Sequence, residues 1–496
     1  MAATDRQRRT ALGSSLETTP ARIKVAGTLP FTLRIVLVAV VLAVVLGVAA
    51  SRPELRNVAV AAAVFLALVG VILEAPEYSL LAFLVARPVV DAYVYTSVGG
   101  LTLGQVWGMG LLGTILVYFA ARRRVGLPSP LAALLLAYLG LTLVRPEFGV
   151  AVDSGFKLAS WLLLAVAVER ICATRHGQKA ILTTMWVSAI SLLLVTMIAL
   201  AQGRYGAAYY GLSETSGGYS RPHALASLAV LVLPFILMYI VAGLRVRLSA
   251  LVACLLVLGI IASFVRSAYL AALAVLGAYV MVAMRMTAVR ARVSILVIGG
   301  VLVFAAIWFQ NNILARLSDL PIVHSLVGGQ LEHGGGSGRV QFERDLLVAG
   351  TDSLPHILIG RGAGASVRML SQTYGLAIWS HNDFLEFFIT GGLVLLCAYV
   401  VFLAWVLVSL VRLYRDTRQS PGVHVCSIIM IGGYAGYVVL SVANGIALAA
   451  GAAVMAVLIG LTRGMLQTPG DTALDVHPAS RATPVDEAPS AVPDRL

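Results

Sequence analysis

Long apolar stretches alternate with short polar segments along most of the chain. A membrane-spanning helix needs about 20 predominantly apolar residues, and somewhat fewer inside a helix bundle. By this criterion the pattern predicts fourteen spans, or twelve if short early ones merge or re-enter the membrane. The predicted spans are 32–50, 57–73, 79–97, 103–120, 128–143, 154–169, 180–201, 224–242, 249–265, 267–284, 293–309, 382–409, 424–442 and 446–463.

The composition leads to the same fold class. Hydrophobic residues make up 59% of the 496 residues and charged residues only 12%, whereas soluble domains are about 45–50% apolar and about 25% charged. Such a chain cannot cover its apolar surface with polar side chains. We therefore predict an all-α polytopic membrane protein with about 12–14 transmembrane helices.

The net charge of +13 does not indicate a nucleic-acid partner, because of how it is distributed. The basic residues form short clusters between apolar segments, and every strong cluster falls on one side of the predicted membrane. The positive-inside rule makes that side cytoplasmic. The segment Ser51–Arg56 is the exception, with two arginines outside. The clusters are Arg122–Arg124, Arg170 to Lys179, Arg245 with Arg247, Arg285 to Arg292, and Arg412 to Arg418.

Five regions follow from these patterns. We expect a disordered cytoplasmic arm (1–30), a transmembrane bundle (31–309), a large extracytoplasmic loop (310–380), C-terminal transmembrane helices (381–465) and a disordered cytoplasmic tail (466–496). The loop contains apolar runs and turn signals, so we expect a small, partly helical cap. The first apolar run is too long for a cleavable signal peptide. The four cysteines lack metal-ligand spacing and are interpreted as small core residues without disulfides.

Two arginines are candidates for anion binding. Arg266 separates two apolar runs, and a charged residue at membrane depth commonly marks a functional site, although it can also extend its charge to the interface. Arg339 follows the glycine run Gly334–Gly336 and begins a predicted short helix, where it could equally be solvated. The planar guanidinium suits phosphate groups. A further glycine cluster, Gly360–Gly364, fits an anion-binding nest less well than a plain turn.

His381 is the main candidate for proton transfer. It begins a long apolar segment, and a neutral imidazole can accept a proton from a hydroxyl near physiological pH. Asp383 and Glu386 are near enough in sequence to orient it, although a histidine at such a position can be purely structural. Neither a metal-ligand spacing nor a cofactor motif is evident, so we expect no metal and no cofactor.

Several segments in series resemble the O-antigen ligase / O-antigen polymerase superfamily of membrane glycosyltransferases. The resemblance covers about 204–392 and retains the order of the family's motifs. The segments are Gly218–Pro234, Phe264-Val-Arg-Ser-Ala-Tyr-Leu270, Ser337-Gly-Arg339 with the following short helix, Pro355 with Ile359-Gly-Arg-Gly-Ala-Gly364, and His381-Asn-Asp-Phe-Leu-Glu-Phe-Phe-Ile-Thr-Gly-Gly392.

Three positions depart from the family pattern. His223 stands where many relatives have asparagine, Phe342 where they often have tryptophan, and Arg361 interrupts a Gly-x-Gly-x-Gly turn. These departures leave the chemistry intact and bear on the identity of donor and acceptor.

The resemblance implies a metal-independent, inverting transferase at the outer face of the cytoplasmic membrane. Its donor would be a glycan on a polyprenyl (undecaprenyl) diphosphate, and its acceptor a hydroxyl of a glycan, lipid-glycan or protein. His381 would be the general base, and Arg266 and Arg339 would bind the diphosphate. Membrane lipids, but no nucleic acid, would be further partners. The implied substrate-binding residues are Arg221, His223, Arg361, Asn382, Asp383 and Glu386.

Other functions remain open at this point. Within the family, a ligase, a polysaccharide polymerase and a protein-directed transferase would share these residues. A transporter of lipid-linked glycans or small solutes belongs to a different class. Transporters place polar groups near the membrane midplane, whereas the charges here lie at the outer boundary. A non-catalytic scaffold would not need an arginine such as Arg266 within the membrane.

Overall fold

The computed structural model describes residues 75–93, 97–98, 101–122, 127–143, 148–202, 208–209, 212–213, 222–285, 298–300, 339–375, 380–417, 420–447 and 451–468. These residues belong to one compact unit. Outside them lie the arm at 1–30, the spans at 32–50 and 57–73, most of the span at 293–309, the first half of the loop (310–338) and the tail from 469.

The described residues are almost entirely helical, apart from two short antiparallel pairs, β1 (Ser97–Val98) with β2 (Leu101–Thr102), and β3 (Ala208–Tyr209) with β4 (Leu212–Ser213). The fourteen helices within these ranges are α1 (Pro76–Ala92), α2 (Leu103–Arg122), α3 (Ser129–Leu143), α4 (Phe148–Ile171), α5 (Arg175–Ala201), α6 (Pro222–Val241), α7 (Val246–Ala262), α8 (Arg266–Arg285), α9 (Arg339–Gly350), α10 (Leu354–Ile359), α11 (Ala365–Tyr374), α12 (Asp383–Asp416), α13 (Pro421–Ala443) and α14 (Gly451–Gln467).

The helices confirm the predicted fold class, an all-α polytopic membrane protein. Eleven of the fourteen predicted spans overlap a helix, and the other three fall wholly or mostly outside the described residues. Within the described ranges, six helices are long and apolar enough to cross a membrane, namely α2, α5, α6, α8, α12 and α13. The helices α3, α7 and α14 are apolar but shorter.

Helix α6 is the centre of the bundle. Every residue from Leu225 to Val241 is buried, and the helix packs against α5, α7, α8, α13 and α14. A helix that is apolar on all sides belongs in the interior of a bundle. The start of α6, with His223 in its first turn, therefore lies at one end of the bundle core.

Helix α12 is interrupted near its start. Gly391 and Gly392 leave the helical conformation, and Gly392 has a φ of 63°. The break frees the carbonyls of Ile389 and Thr390, which accept hydrogen bonds from the backbone N–H groups of Arg361 (2.7 Å) and Gly362 (3.0 Å). Buried backbone groups need such partners. The predicted span at 382–409 is thus a helix whose break anchors the cap.

The predicted partly helical cap is present from residue 339 onward as α9, α10 and α11. Its apolar side forms a small core with the first turns of α12, because Leu346, Ala365 and Leu370 are buried against Phe388 and Ile389. The Phe342 and Tyr374 rings close this core with their centroids 4.6 Å apart. The cap is therefore fixed to the helix that carries the His381 motif.

Candidate functional site

Two histidines from distant parts of the sequence meet at one end of the bundle. His381 lies just before α12, His223 lies in the first turn of α6, and their ring centroids are 6.3 Å apart with an interplanar angle of 51°. Both residues are partly exposed. The structure thus places a substrate-binding candidate, His223, beside the candidate base.

The connection between α13 and α14 forms the next wall of the site. Gly445 has a φ of 61°, and a Cβ at this position would lie 2.7 Å from the Ser380 carbonyl oxygen and 3.4 Å from the His381 carbonyl carbon. Only a glycine combines this left-handed backbone with so close an approach. The connection therefore packs directly against the backbone of the His381 motif.

Arg266 reaches the same end of the bundle as the first residue of α8. The hydroxyl of the next residue, Ser267, donates to Oδ1 of Asn444 at 3.0 Å, directly beside Gly445. Before α8 the chain turns sharply, and Phe264 has a φ of 53°, which is unusual for a bulky side chain. This turn brings the start of α8 to the connection that packs against the His381 motif.

Asp383 is buried and fully engaged within the protein. Its carboxylate accepts hydrogen bonds from the Ser441 hydroxyl (2.7 Å) and from the backbone N–H groups of Ile446 (3.0 Å) and Ala447 (2.9 Å). A carboxylate with these partners links the start of α12 to the α13–α14 connection. The structure thus places this substrate-binding candidate in a network that positions His381.

Glu386, one helical turn further along α12, is also buried. Its carboxylate accepts hydrogen bonds from the Ser366 hydroxyl at 2.6 Å and from the Thr390 hydroxyl at 3.3 Å. Ser366 lies in the first turn of α11, so this contact joins the cap to α12. Asn382 caps α12, since its Oδ1 accepts the backbone N–H of Leu385 at 3.2 Å. We interpret both residues as positioning groups.

Arg361 holds the cap together. Its Nε donates to the Ala349 carbonyl at 2.9 Å, and its guanidinium also pairs with Asp352. Nδ1 of His356 lies 2.6 Å from the other Asp352 oxygen. The hydrogen bond with His356, together with the positive charge of Arg361, lowers the pKa of Asp352. These contacts give Arg361 a place inside the cap, between α9 and α10.

The glycine cluster has a packing role that spacing did not reveal. Gly360 has a φ of 70°, and a Cβ there would lie 2.5 Å from the Gly391 nitrogen and 2.6 Å from the Gly392 nitrogen. The cluster therefore lies backbone to backbone on the break in α12. This contact requires glycine in the turn at Gly360. The sequence analysis also favoured a plain turn over an anion-binding nest.

Two predicted site residues lie wholly or partly outside the described residues. Arg221, which directly precedes α6 in the sequence, lies outside them. Arg339 is the first residue of α9, and its side chain lies outside the described part of the structure. Among the described residues, groups of three or more His, Cys, Asp or Glu able to hold a metal ion are absent.

Asn444 is a site residue that sequence reasoning missed. Its Nδ2 is buried and has no hydrogen-bond partner among the described residues, while its Oδ1 accepts from Ser267. A buried amide donor of this kind calls for an explanation. The sequence feature that could have indicated it is the Asn-Gly pair between the last two apolar spans, but such a pair is typical of an ordinary turn.

The fold and site define a polytopic membrane protein with a polar, histidine-containing site at one end of its helix bundle and a helical cap beside it. Comparison with family models and with curated proteins gives no match to this chain.

Proposed function

We propose that the protein is a membrane glycosyltransferase. It transfers a glycan from a polyprenyl diphosphate carrier to an acceptor hydroxyl at the outer face of the cytoplasmic membrane. The observation that carries this proposal is the approach of His381 to His223, with ring centroids 6.3 Å apart, at the end of the bundle where Arg266 begins α8. The resemblance of the motifs around these residues supplies the substrate class.

In the proposed reaction His381 accepts the proton of the acceptor hydroxyl as the oxygen attacks the anomeric carbon of the donor sugar. The bond from that carbon to the diphosphate breaks, and direct displacement inverts the configuration. His223 lies close enough to orient the acceptor or to share its hydrogen-bond network. A positioned base of this kind contributes about 10²–10⁴-fold to a rate.

The leaving group is a lipid diphosphate, which gains negative charge as the bond breaks. We assign Arg266 and Arg339 to its binding, because a guanidinium matches phosphate geometry and remains protonated. Preorganised charge of this kind is commonly the largest catalytic contribution. The two arginines can supply the required positive charge without a metal ion, so the proposed mechanism is metal-independent.

The distribution of basic residues supports the proposed orientation of the protein in the membrane. Arg122, Arg170 and Arg245 lie at or just beyond the C-terminal ends of α2, α4 and α6, and His223 lies at the opposite, N-terminal end of α6. By the positive-inside rule the basic ends are cytoplasmic. The proposed site then faces outwards, where polyprenyl diphosphate-linked glycans would be consumed.

The test is transfer of a lipid-linked glycan by the purified protein in proteoliposomes. His381→Ala should lower turnover by about 10²-fold or more, the usual contribution of general-base catalysis. His424→Ala is the matched control, because His424 lies near the start of α13 at the other end of the bundle and contacts the Tyr414 carbonyl. Unchanged turnover in the His381 variant would exclude the base assignment.

Two further readouts refine the proposal. Loss of wild-type turnover on adding a chelator would contradict the metal-independent mechanism. The glycans that accumulate on the carrier in cells lacking the protein separate a ligase from a polymerase. Long unattached chains would indicate a ligase and short unpolymerised units a polymerase.

A further inference from the structure

A polar cleft lies at the basic end of the bundle. It has a volume of about 850 Å³ and is formed by the start of α1, the ends of α2, α4 and α14, and the start of α5. The charged side chains and the histidine that line it are Glu77, Arg122, Glu169, Arg170, His176 and Arg463.

This cleft is separate from the candidate functional site. Helix α14 begins at Gly451, shortly after the connection that packs against His381, and ends in the cleft at Gln467. A helix of 17 residues extends over roughly 25 Å at about 1.5 Å per residue. The two sites therefore lie at opposite ends of the same bundle.

The acidic groups of the cleft are already engaged by basic ones. Glu169 is bonded to Nε of Arg463 at 2.7 Å and to Nε2 of Gln467 at 2.7 Å, and Glu77 pairs with Arg122. Arg170 and His176 add further basic groups to the lining. With three arginines and two glutamates in its lining, the cleft carries an excess of positive charge.

Arg170 is held in place at the wall of the cleft. It is partly buried at the end of α4, and its guanidinium lies 5.4 Å from the centre of the Phe119 ring. Arg175 and Lys179, both exposed on the first turns of α5, extend the basic surface outwards. An anion that approaches the cleft therefore meets exposed basic groups on α5 and the arginines of the cleft lining.

Part of the remaining cleft wall is apolar and reaches the protein surface. Tyr78 is 68% exposed, and Leu81, Leu127 and Pro128 also line the cavity. A cationic group at the end of membrane helices beside an apolar wall matches a phosphate attached to acyl chains. Basic pockets between transmembrane helices on the cytoplasmic side are suited to anionic lipid headgroups.

We propose that this cleft binds the phosphate headgroup of an anionic phospholipid, with the acyl chains against the Tyr78 and Leu81 wall. The group that the cleft would recognise is a phosphate anion, which a soluble phosphate could also supply. The apolar wall favours the lipid. The site is independent of the proposed transferase activity, since it lies at the other end of the bundle.

The test uses the full-length protein, purified and exchanged into lipid nanodiscs of phosphatidylcholine with or without phosphatidylglycerol. Native mass spectrometry measures the phosphatidylglycerol retained per chain. Arg170→Gln should weaken retention by about tenfold, as expected for loss of one charge-assisted hydrogen bond. Arg170→Lys keeps the charge and should retain most of the binding. Both variants must show the wild-type elution profile and unfolding midpoint.

Arg412→Gln is the matched control, because Arg412 is exposed near the C-terminal end of α12 and does not line the cleft. Equal retention by the Arg170→Gln and Arg412→Gln variants would overturn the proposal. Glycerol phosphate and inorganic phosphate form the competing arm. If either displaces phosphatidylglycerol at concentrations similar to those of a short-chain phosphatidylglycerol, the site is for soluble phosphates and the lipid assignment is wrong.

Discussion

The carboxylate of Asp383 accepts the backbone N–H of Ala447 at 2.9 Å, across 64 positions of the sequence. It thereby joins the first turn of α12 to the connection between α13 and α14. Asp383 is two residues from His381, so this hydrogen bond determines where the candidate base stands relative to Asn444 and Gly445. Asp383 therefore fixes the position of His381 through the backbone, without contacting its side chain in the described hydrogen bonds.

Replacing Asp383 should destabilise this junction. Asp383→Asn removes the negative charge of the group that accepts hydrogen bonds from the Ile446 and Ala447 N–H groups. We expect the free energy of unfolding to fall by about 1–3 kcal/mol, the cost of leaving buried donors poorly satisfied. The measurement is the thermal unfolding midpoint in detergent. Asp416→Asn, an exposed acid at the other end of α12, is the control. Equal midpoints for the two variants would contradict the structural role of Asp383.

The helices were predictable because apolar length alone decides which segments can lie in a membrane. The break in α12 was not predicted, although the Gly391-Gly392 pair is a local sign of a kink, because its geometry depends on backbone contact with Gly360, which is distant in sequence. The partners of Asp383 and Glu386 could not be predicted for the same reason, since Ala447 and Ser366 are distant in sequence. Sequence proximity to His381 indicated where these acids lie, and only the fold indicated what they contact.

The Gly360 contact leads to a prediction with an internal control. Gly360 and Gly375 have similar φ values, 70° and 67°, but a Cβ at Gly375 would meet nothing within 4 Å. Gly375→Ala should therefore cost only the left-handed backbone strain, about 1–2 kcal/mol. Gly360 has a ψ of −167°, against 13° for Gly375, and so lies in a backbone region essentially restricted to glycine. An alanine there also clashes with the backbone of α12, so Gly360→Ala should cost clearly more.

Limited proteolysis of the cap measures this difference, because a cap released from α12 exposes its helices. The Gly360→Ala protein should be cleaved between α9 and α11 much faster than the Gly375→Ala protein. Similar cleavage rates for the two variants would mean that the cap does not depend on the backbone contact with α12.

The Asp352 cluster predicts how the cap responds to pH. The folded-state pKa of Asp352 is lowered from its ordinary value of 3.8, first by the hydrogen bond with His356 and further by the charge of Arg361. A depressed carboxyl pKa contributes stability that is present above the unfolded value and is lost as the pH falls through the folded one. The α10 region should therefore open more readily as the pH drops below 3.8.

Hydrogen exchange of the α10 amides, corrected for intrinsic rates, can follow this opening from about pH 5 to about pH 3. Asp352→Asn should remove most of the additional opening at the acidic end, because the amide does not titrate. Asp416→Asn serves again as the exposed control. An identical acid response in the wild type and the Asp352 variant would assign it to other carboxyls.

The packing of α13 on α8 depends on a close approach at Gly432. A Cβ at Gly432 would lie 2.5 Å from Cβ of Ala278, whereas a Cβ at Gly277, also in α8, would meet nothing within 4 Å. Small residues allow such close packing of membrane helices, and overpacking a tight contact costs about 1–3 kcal/mol. We expect Gly432→Ala to lower the unfolding midpoint in detergent and Gly277→Ala to leave it unchanged or raise it, because alanine is the better helix former. If Gly432→Ala matches Gly277→Ala, the two helices have room to separate, and α8 does not hold Arg266 and Ser267 rigidly against the connection that carries Asn444.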